Sequence, residues 1–489
     1  MNPLPLARIA QWTGGRLLGE DVLVDALVTD TRVLENEDRR AAALFIALKG
    51  ERFDGHDHVA RAADLGVRAA LVSRAFDGPL PQVLVADTER ALASLAAAMQ
   101  RGRSGKVVAV TGSNGKTSVK TLVLSILQRA GKAYANPGNR NNEIGLPLAV
   151  IEAPDDADFA IYEMGAGKPG DIAYLTAVAR PDVALVNNVA PAHLERMGDL
   201  LGVADTKSAI YDALPADGVA VINADDAFAP YFAERAHGRR LLRFGLDAAA
   251  DVRARELRFA DEGVHFLLAT PDGEREAVVP MPGRHSVANA LAAATLALAC
   301  GVGLDDIVAG LREAQPVAGR LVRHRLAGGA LLIDDSYNAN PGSLNAAIDT
   351  LASAPGEAWL VLGDMRELGD DALSLHEAAG RRAKEAGIAR LYALGALSAA
   401  AADAFGVGGR GFDSHAALSD ALRADIAVLV GAASAASFSS RTEELAAEAA
   451  PTRADAPARL QVLVKGSRGS AMDRVVKALL GNGEAAHAA

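Results

Sequence analysis

The chain has 489 residues and a formal net charge of -11 at pH 7. This length predicts two to four domains, and the acidic charge argues against a nucleic-acid partner. Hydrophobic residues make up 50% of the chain, but much of that share is alanine, which predicts closely packed helices and no membrane span. The N-terminus lacks the pattern of a secretory signal, and the single cysteine, Cys300, excludes an internal disulfide. We therefore expect a cytoplasmic protein.

Apolar runs along the chain predict strands in three groups. They are residues 43–48, 69–72 and 82–85, then 158–163, 183–187 and 218–222, and finally 330–334, 358–362, 389–394 and 461–464. Helical stretches separate these runs, which is typical of parallel sheets covered on both faces. We predict an α/β fold with domains at residues 1–104, 105–315 and 316–489. Residues 431–458 and the C-terminal tail show no convincing period, so we expect them to be poorly ordered.

One segment, residues 107–127, joins an apolar strand, a glycine-lysine loop and an apolar-periodic helix. Gly112 and Gly115 can adopt positive φ, which lets successive N–H groups turn toward one anion, and the helix N-terminus adds its positive dipole. Lys116 can then reach the β- and γ-phosphates, while the Thr117 hydroxyl is placed to hold a magnesium ion. The pattern is shorter than the usual phosphate loop, because valine replaces its first glycine. The segment predicts an ATP site.

Three residues that follow this loop in the chain could act beside it. Glu163 ends a predicted strand and could share the magnesium, although a solvated strand-end acid is an equal alternative. His193 follows the next strand by a short turn, and its context favours a hydrogen-bonded structural histidine. Lys207 lies in a helical stretch, where a solvated surface lysine is the ordinary interpretation.

Amide and charged groups also cluster at other turns. GNRNNEIGLP, residues 138–147, packs three asparagines and two glycines together, so turn formation and ligand contact are equal alternatives. Asn289, in the first turn of a helix, could contact an adenine edge, but a capping or core role is favoured. Residues 333–343, 363–369 and 464–470 each place glycines beside charged or amide groups at a strand end. Three such loops favour a cleft that faces the nucleotide region.

Taken together, these motifs resemble the Mur ligases, the ATP-dependent amino-acid and peptide ligases of bacterial cell-wall precursor synthesis. The resemblance spans nearly the whole chain and rests on segments in the family's order, which are TDTR, FIALKGERFDGH, TGSNGKTSVK, GNRNNEIGLP, EMGAGKPGDI, NNVAPAHLE, PGRHSVANALAA, DDSYNANPGS, GDMRELG and VKGSR. The shortened loop TGxxGKT is the form that this family uses. Within the family, the order is most similar to the branch that adds D-alanyl-D-alanine to a UDP-N-acetylmuramoyl tripeptide. Residues 34–45 look longer than the usual connection there.

The resemblance implies a three-domain Mur ligase architecture: an N-terminal UDP-substrate-binding domain, a central P-loop ATPase with a parallel sheet, and a C-terminal Rossmann-like domain. The catalytic residues would be Lys116, Glu163, His193 and Lys207. Thr117, Glu163, His193 and Lys207 would hold two Mg²⁺ ions. Lys207 would be carbamylated, which turns an amine into a carboxylate-like anion.

The resemblance also assigns binding residues. ATP would be bound by Gly112, Ser113, Asn114, Gly115, Lys116, Thr117, Ser118, Asn289, Arg320, Asp335, Tyr337 and Asn338. The substrate-binding residues would be Asp30, Thr31, Arg32 and Lys49 near the UDP moiety, Asn139, Asn141 and Asn142 near the muramoyl peptide, and Lys465, Ser467 and Arg468 in the C-terminal domain. The last three either bind the dipeptide or support the loops that do.

The implied partners are UDP-N-acetylmuramoyl-tripeptide and D-alanyl-D-alanine, and we expect a monomer. The peptide carboxylate would attack the γ-phosphate to give an acyl phosphate, and the dipeptide amine would then displace phosphate. Two alternatives stay open: a sister ligase that adds another amino acid, and a P-loop protein that binds nucleotide only as a switch. The chain has no DNPR-like segment of the kind associated with diaminopimelate addition. Whether the third peptide residue is diaminopimelate or lysine is open.

Overall fold

The computed structural model describes residues 1–35, 42–50, 53–191, 194–260, 262–353, 355–440 and 460–481, with only the backbone of residues 431–440. Its strands form three large sheets and one two-stranded pair. Short 3₁₀ helices cover Thr31–Glu35, Gly55–His58, Gly369–Asp371 and Arg468–Ser470. No helix within these residues is long and apolar enough to cross a membrane.

The N-terminal sheet has five strands. The elements of this region are β1 (Leu4–Pro5), α1 (Leu6–Thr13), β2 (Arg16–Leu18), β3 (Leu23–Val24), β4 (Ala26–Val28), β5 (Ala43–Ile46), α2 (Val59–Asp64), β6 (Ala69–Val72), β7 (Gln82–Leu84) and α3 (Thr88–Arg101). The order is β2-β7-β6-β5-β4, with only β2 antiparallel to its neighbour, while β1 pairs with β3. Helix α3 begins where the Asp87 side chain accepts hydrogen bonds from the N–H groups of Glu89 and Arg90.

The central sheet has nine strands. The elements are β8 (Lys106–Thr111), α4 (Lys116–Ala130), β9 (Ala133–Ala135), α5 (Gly145–Glu152), β10 (Phe159–Glu163), α6 (Asp171–Ala179), β11 (Val183–Val186), α7 (Leu194–Met197), α8 (Leu200–Asp212), β12 (Val219–Asn223), α9 (Ala229–Arg235), β13 (Arg240–Gly245), β14 (Val252–Ala260), β15 (Gly263–Thr270), β16 (Gly273–Val279), α10 (Arg284–Ala299) and α11 (Leu304–Glu313). The order is β16-β15-β14-β13-β12-β11-β8-β10-β9. Strands β8, β10 and β11 are almost wholly buried, because apolar side chains cover both of their faces. Helix α3 packs against α5 and α6, which brings the N-terminal region beside this sheet.

The position of β8 explains where this sheet can bind a ligand. After β8 the chain forms β9 and β10 on one side, and it then crosses to β11 on the other side. Connections that leave neighbouring parallel strands in opposite directions open a crevice at the carboxyl ends of those strands. The loop of residues 112–115 begins at that point, between β8 and α4.

The C-terminal sheet has six strands. The elements are β17 (Val322–Arg325), β18 (Leu331–Asp335), α12 (Pro341–Ala352), β19 (Glu357–Gly363), α13 (Ala372–Glu385), β20 (Arg390–Leu394), α14 (Ala396–Phe405), β21 (Gly409–Phe412), α15 (His415–Ser440), β22 (Leu460–Lys465) and α16 (Asp473–Leu480). The order is β17-β18-β22-β19-β20-β21, and only β17 is antiparallel. The last strand, β22, lies between β18 and β19, so the loops after β18 and β22 are neighbours.

The α/β class is confirmed, and the predicted strands end within two residues of their observed positions. The central sheet differs from the predicted parallel sheet, because β14, β15 and β16 form an antiparallel extension. Many positions of β14 and β16 are exposed and charged, so these strands lack the apolar pattern by which a buried strand is recognised, and they were not predicted. Residues 431–440, expected to be poorly ordered, belong to α15. Residues 441–458 and the tail at 482–489 lie outside the described residues.

Candidate active site

The loop after β8 has the geometry of a phosphate cradle. Gly112 and Gly115 have φ values of 146° and 79°, in the region that favours glycine. The backbone N–H groups of Ser113 and Asn114 donate to the main-chain and side-chain oxygens of Asn188 at 2.9 and 2.8 Å, which ties the loop to the end of β11. Strand, loop and helix therefore have the geometry that is typical of an anion-binding loop.

Lys116 is the first residue of α4 and folds back over the loop. Its Nζ donates to the Gly112 carbonyl at 2.6 Å and to the Ser113 carbonyl at 3.4 Å. Burial lowers the pKa of Lys116, an effect that Glu163 opposes and Arg320 reinforces. The ammonium thus contacts the cradle itself, where it can exchange a carbonyl partner for a phosphate oxygen.

Gly115→Ala should weaken nucleotide binding. The added Cβ would lie 2.5 Å from both Asn187 Nδ2 and Asn289 Oδ1. The φ of 79° would by itself cost a residue other than glycine about 1–2 kcal/mol. We expect titration calorimetry to show ADP affinity at least about tenfold weaker.

The matched control for this prediction is Gly387→Ala. Gly387 has a φ of 84°, but nothing lies within 4 Å of its added Cβ, so this variant carries the backbone strain without the clash. Gly387→Ala should keep the ADP affinity of the wild type. Equal affinity in the two variants would contradict a cradle that depends on close contact at Gly115.

A cavity of 350 Å³ lies between the loop and the C-terminal region. Ten of the residues predicted to bind ATP line it: Ser113, Asn114, Gly115, Lys116, Ser118, Asn289, Arg320, Asp335, Tyr337 and Asn338. The other two, Gly112 and Thr117, are neighbours of these in the loop and the first turn of α4. The Asn340 side chain donates to Asn114 Oδ1 at 2.7 Å, so the central and C-terminal regions meet at this cavity.

Two guanidinium groups lie near the Tyr337 ring. The Cζ atoms of Arg320 and Arg468 are 4.4 and 5.1 Å from the ring centroid. Arg320 also donates to the Thr117 hydroxyl at 3.0 Å, and its Nε is buried with no hydrogen-bond partner among the described residues. A buried donor without a partner is costly, so Arg320 has a hydrogen bond to offer to an anionic ligand at the loop.

A second cavity, of 1050 Å³, has walls from all three regions of the chain. Asn139, Asn141 and Asn142, which the resemblance places near the muramoyl peptide, line it together with Glu163 and Arg468. The two cavities share four lining residues, which are Lys116, Arg320, Tyr337 and Asn338. Ligands bound in the two cavities would therefore both lie next to these four residues.

Glu163 is 3% exposed at the end of β10. Asn141 Nδ2 donates to its Oε1 at 2.8 Å, whereas its Oε2 has no hydrogen-bond partner among the described residues and lies 3.4 Å from Lys120 Nζ. Burial alone would raise the pKa of Glu163, but the charges of Lys116 and Lys120 hold that pKa below its usual range. An ionised carboxylate with an unpartnered oxygen beside a phosphate loop fits a magnesium ligand. The solvated-acid alternative is wrong.

Lys207 is also buried, with 2% of its surface exposed in α8. The surface-lysine interpretation is therefore wrong. No described residue hydrogen-bonds to its Nζ, and burial, reinforced by the charge of Lys116, lowers the pKa of Lys207 to about 7. A large part of the amine is therefore neutral at neutral pH.

His193 lies outside the described residues. Within the described ranges, no three His, Cys, Asp or Glu side chains converge as metal ligands. Of the four predicted metal ligands, Glu163 and Thr117 are the described residues that carry a side-chain oxygen. The proposed roles of His193 and Lys207 as metal ligands stay predictions.

The four residues predicted to contact UDP line neither cavity. Asp30, Thr31 and Arg32 follow β4, and Lys49 follows β5, the neighbouring parallel strand. Arg32 Nε donates to Asp30 Oδ1 at 3.0 Å, and the Arg32 side chain is 85% exposed. These residues share the carboxyl-end edge of the N-terminal sheet, and their contact with UDP stays a prediction.

The structure separates the three C-terminal residues predicted to bind substrate. Lys465 lines the smaller cavity, where its Nζ pairs with Asp335. The Ser467 hydroxyl accepts a hydrogen bond from the Arg366 N–H at 2.9 Å and lines neither cavity. Arg468 alone lines the larger one. Substrate binding by Lys465, Ser467 and Arg468 stays a prediction.

Several residues that line the two cavities were not predicted from the sequence. They are Asn188, Asn340 and Ser343 in the smaller cavity, and Glu89, Arg90, Lys168, Tyr174 and Arg196 in the larger one. Burial, with the charge of Lys465, lowers the pKa of His285 to about 4, so its ring is neutral at pH 7. His285 and Asn289, four residues apart on α10, share one face of the helix, and both line the smaller cavity. Nothing local to α3 shows that Glu89 and Arg90 face a cavity of the central region.

Family models match three parts of the chain. The Mur ligase family catalytic domain matches residues 39–101, the Mur ligase middle domain matches residues 110–297, and the Mur ligase glutamate ligase domain matches residues 319–485. The UDP-N-acetylmuramoyl-tripeptide–D-alanyl-D-alanine ligase of Escherichia coli K12 is 41% identical over 99% of this chain and 100% of its own length.

Solved structures agree with these sequence matches. A crystal structure of MurF from Acinetobacter baumannii has a TM-score of 0.87 and 32% identity, with coverage of 98% of this chain and 99% of its own. MurF ligase from Thermotoga maritima, in complex with ADP, has a TM-score of 0.78 and 26% identity, with coverage of 93% and 97%. The three-domain Mur ligase architecture that the motifs imply is thereby confirmed. With this identity over its full length, the chain belongs to the Mur ligase family, in the MurF group.

Proposed function

We propose that this chain is an ATP-dependent ligase that joins D-alanyl-D-alanine to UDP-N-acetylmuramoyl-tripeptide. The products are the UDP-linked pentapeptide, ADP and phosphate. The full-length similarity to the E. coli ligase and to solved MurF structures supports this reaction. The ADP complex of the T. maritima relative supports ATP as the energy source.

The observation that carries the proposal is the wall shared by the two cavities. The smaller cavity contains the phosphate cradle, and the larger one has room for an extended peptide. Lys116 and Arg320 belong to both. A γ-phosphate held by the cradle and a carboxylate in the larger cavity would therefore meet between these two cations.

The reaction needs charge neutralisation at that meeting point. A peptide carboxylate is a poor electrophile, so its oxygen first attacks the γ-phosphorus, and ADP leaves. Both reactants are anions, and Lys116 and Arg320 lower the barrier by neutralising the charge between them. The dipeptide amine then attacks the carbonyl carbon of the acyl phosphate and loses a proton, and phosphate leaves. Arg468, which lines the larger cavity, would hold an anionic group of a peptide there.

Magnesium ions would neutralise phosphate oxygens further. We propose Thr117, Glu163, His193 and a carbamylated Lys207 as the residues that hold them. The unpartnered Oε2 of Glu163 supports its part in this set. The burial of Lys207 and its pKa of about 7 support the carbamate, because the neutral amine is the form that adds to CO₂.

The remaining predictions fit the same reaction. We propose that residues 1–104 bind the UDP part of the substrate through Asp30, Thr31, Arg32 and Lys49, that residues 105–315 hold ATP, and that residues 316–489 complete both cavities. Three separate sheets and three family-model matches support these divisions.

The test is phosphate release by the purified protein with ATP and magnesium, omitting UDP-muramoyl-tripeptide and D-alanyl-D-alanine in turn. We expect release only when both are present, with the pentapeptide product identified by its mass. Release that ignores the dipeptide but responds to another amino acid would establish a sister ligase instead. ATP binding without any turnover would contradict a ligase of either kind.

A further inference from the structure

Lys120 lies on α4 one helical turn after Lys116, and the proposed reaction gives it no part. Its side chain is 7% exposed. The Nζ atom donates to the Asn136 carbonyl at 2.9 Å and to the Gly138 carbonyl at 3.0 Å, and it lies 3.4 Å from Glu163 Oε2. One buried ammonium therefore has three oxygen neighbours, two from a loop and one from the end of β10.

Asn136 joins the same loop to Glu163 a second time. It is 1% exposed, and its side chain accepts a hydrogen bond from the Glu163 N–H at 2.9 Å and donates to the Glu163 carbonyl at 3.1 Å. Its Nδ2 also donates to the Arg140 carbonyl at 2.8 Å, and Asn141 donates to Glu163 Oε1. Residues 136–142 are thereby attached to both α4 and β10.

The Lys120 ammonium is the donor that the two loop carbonyls share, and its charge faces Glu163 Oε2 at 3.4 Å without a hydrogen bond. Without it, the buried carbonyl of Asn136 would lose its donor, the partly buried carbonyl of Gly138 would lose its own, and the buried Glu163 carboxylate would lose a counter-charge. Buried acceptors without a partner, and a buried charge that has lost its counter-charge, are costly. Residues 136–142 would therefore shift toward an arrangement in which water reaches these oxygens.

The consequence would fall on one cavity only. Asn139, Asn141 and Asn142 of this segment line the larger cavity. Neither Lys120 nor any residue from 136 to 142 lines the smaller cavity, where the phosphate cradle lies. A shift of the segment would therefore change the peptide side of the site and leave the phosphate cradle in the smaller cavity in place.

We propose that Lys120 is a positioning residue for the peptide substrate: it holds residues 136–142 against Glu163, so that Asn139 and Asn141 keep their place in the larger cavity. This inference rests on the proposed function, which assigns that cavity to the UDP-linked tripeptide. Lys120 acts through the loop and touches no reacting atom.

The test is the Lys120→Met variant, which keeps an apolar stem and removes the charge. With ATP, magnesium and dipeptide at saturation, we expect the KM for UDP-tripeptide to rise about tenfold or more. The ADP dissociation constant, from titration calorimetry, should stay within about twofold. Lys132→Met is the matched control, because Lys132 pairs with Asp156 on the surface and its side chain is 69% exposed.

A second variant separates the charge from packing. Lys120→Ala leaves room for a small amine, and added propylammonium should restore part of the tripeptide KM while propanol should not. If the uncharged variants do not fold, Lys120→Arg can replace them, because it keeps the charge but has a larger head group. We expect Lys120→Arg to raise the KM for UDP-tripeptide in the same way and to leave the ADP dissociation constant unchanged.

Either of two results would overturn the inference: an unchanged tripeptide KM, or an equal loss of tripeptide and ADP affinity. The wild type separates this failure from that of the proposed function. A wild-type protein that forms pentapeptide, with a Lys120→Met variant that matches it, contradicts the positioning role alone. A wild-type protein that forms no pentapeptide contradicts the function itself.

Discussion

Lys116→Met is expected to lower the ligation rate about 10³-fold or more, and to leave the fold intact. The Lys116 ammonium lies at the wall shared by both cavities, where a carboxylate and a γ-phosphate must approach each other. Its present partners are loop carbonyls, and burial already disfavours its charge, so the protein loses little stability with it. The measurements are kcat from phosphate release and Tm from calorimetry.

Lys477→Met is the control for this prediction. Lys477 forms an exposed ion pair with Asp473 in α16, and its side chain is 71% exposed. This variant should keep wild-type kcat, because exposed pairs contribute little and α16 lines neither cavity. If the kcat of Lys116→Met stayed within about tenfold of the wild-type value, this result would contradict a role of Lys116 in the reaction.

Lys207→Ala is expected to lower ligation about 100-fold or more, because the enzyme would lose an anion that positions magnesium. Lys207→Arg should be as poor, since its guanidinium keeps a positive charge but forms no carbamate. Wild-type protein incubated with ¹³C-bicarbonate should show a carbamate carbon by NMR, and both variants should lack it. Since burial lowers the pKa of Lys207 to about 7, the signal should weaken as the pH falls below that value and the amine becomes protonated.

The result against the carbamate would be plain. Unimpaired ligation by Lys207→Ala, with and without added bicarbonate, would contradict it. A carbamate signal that persists in Lys207→Arg would assign the modification to another amine. Loss of activity together with a collapse of Tm would indicate a packing role, which the Lys207→Arg variant would share.

The phosphate cradle could be predicted because its determinants are local. An apolar strand, two glycines and a lysine at a helix start occupy one continuous segment, and the observed φ values and hydrogen bonds agree with that pattern. The burial of Glu163 and Lys207 could not be predicted from the sequence. Their neighbours in the sequence say nothing about burial, and only the packing of other elements around β10 and α8 removes both side chains from water.

The antiparallel extension of the central sheet could not be predicted from the sequence. Strand β14 carries charged residues on its exposed face, so its apolar pattern is weak. Its pairing with β13 and β15 stabilises the strand where its own sequence preference is weak. Arg90 gives a similar case, because α3 reaches the larger cavity only through its packing against α5 and α6.

The sequence by itself determined the α/β class, the nucleotide loop and membership of the Mur ligases, because strand periodicity and short motifs depend on residues close together in the chain. Only the tertiary structure decided that two cavities share Lys116 and Arg320, that Lys465 faces the smaller one, and that Lys120 joins a distant loop to Glu163. Each of these is a contact between segments far apart in the chain. Burial and distance at such contacts arise from the packing of whole elements, which no local pattern encodes.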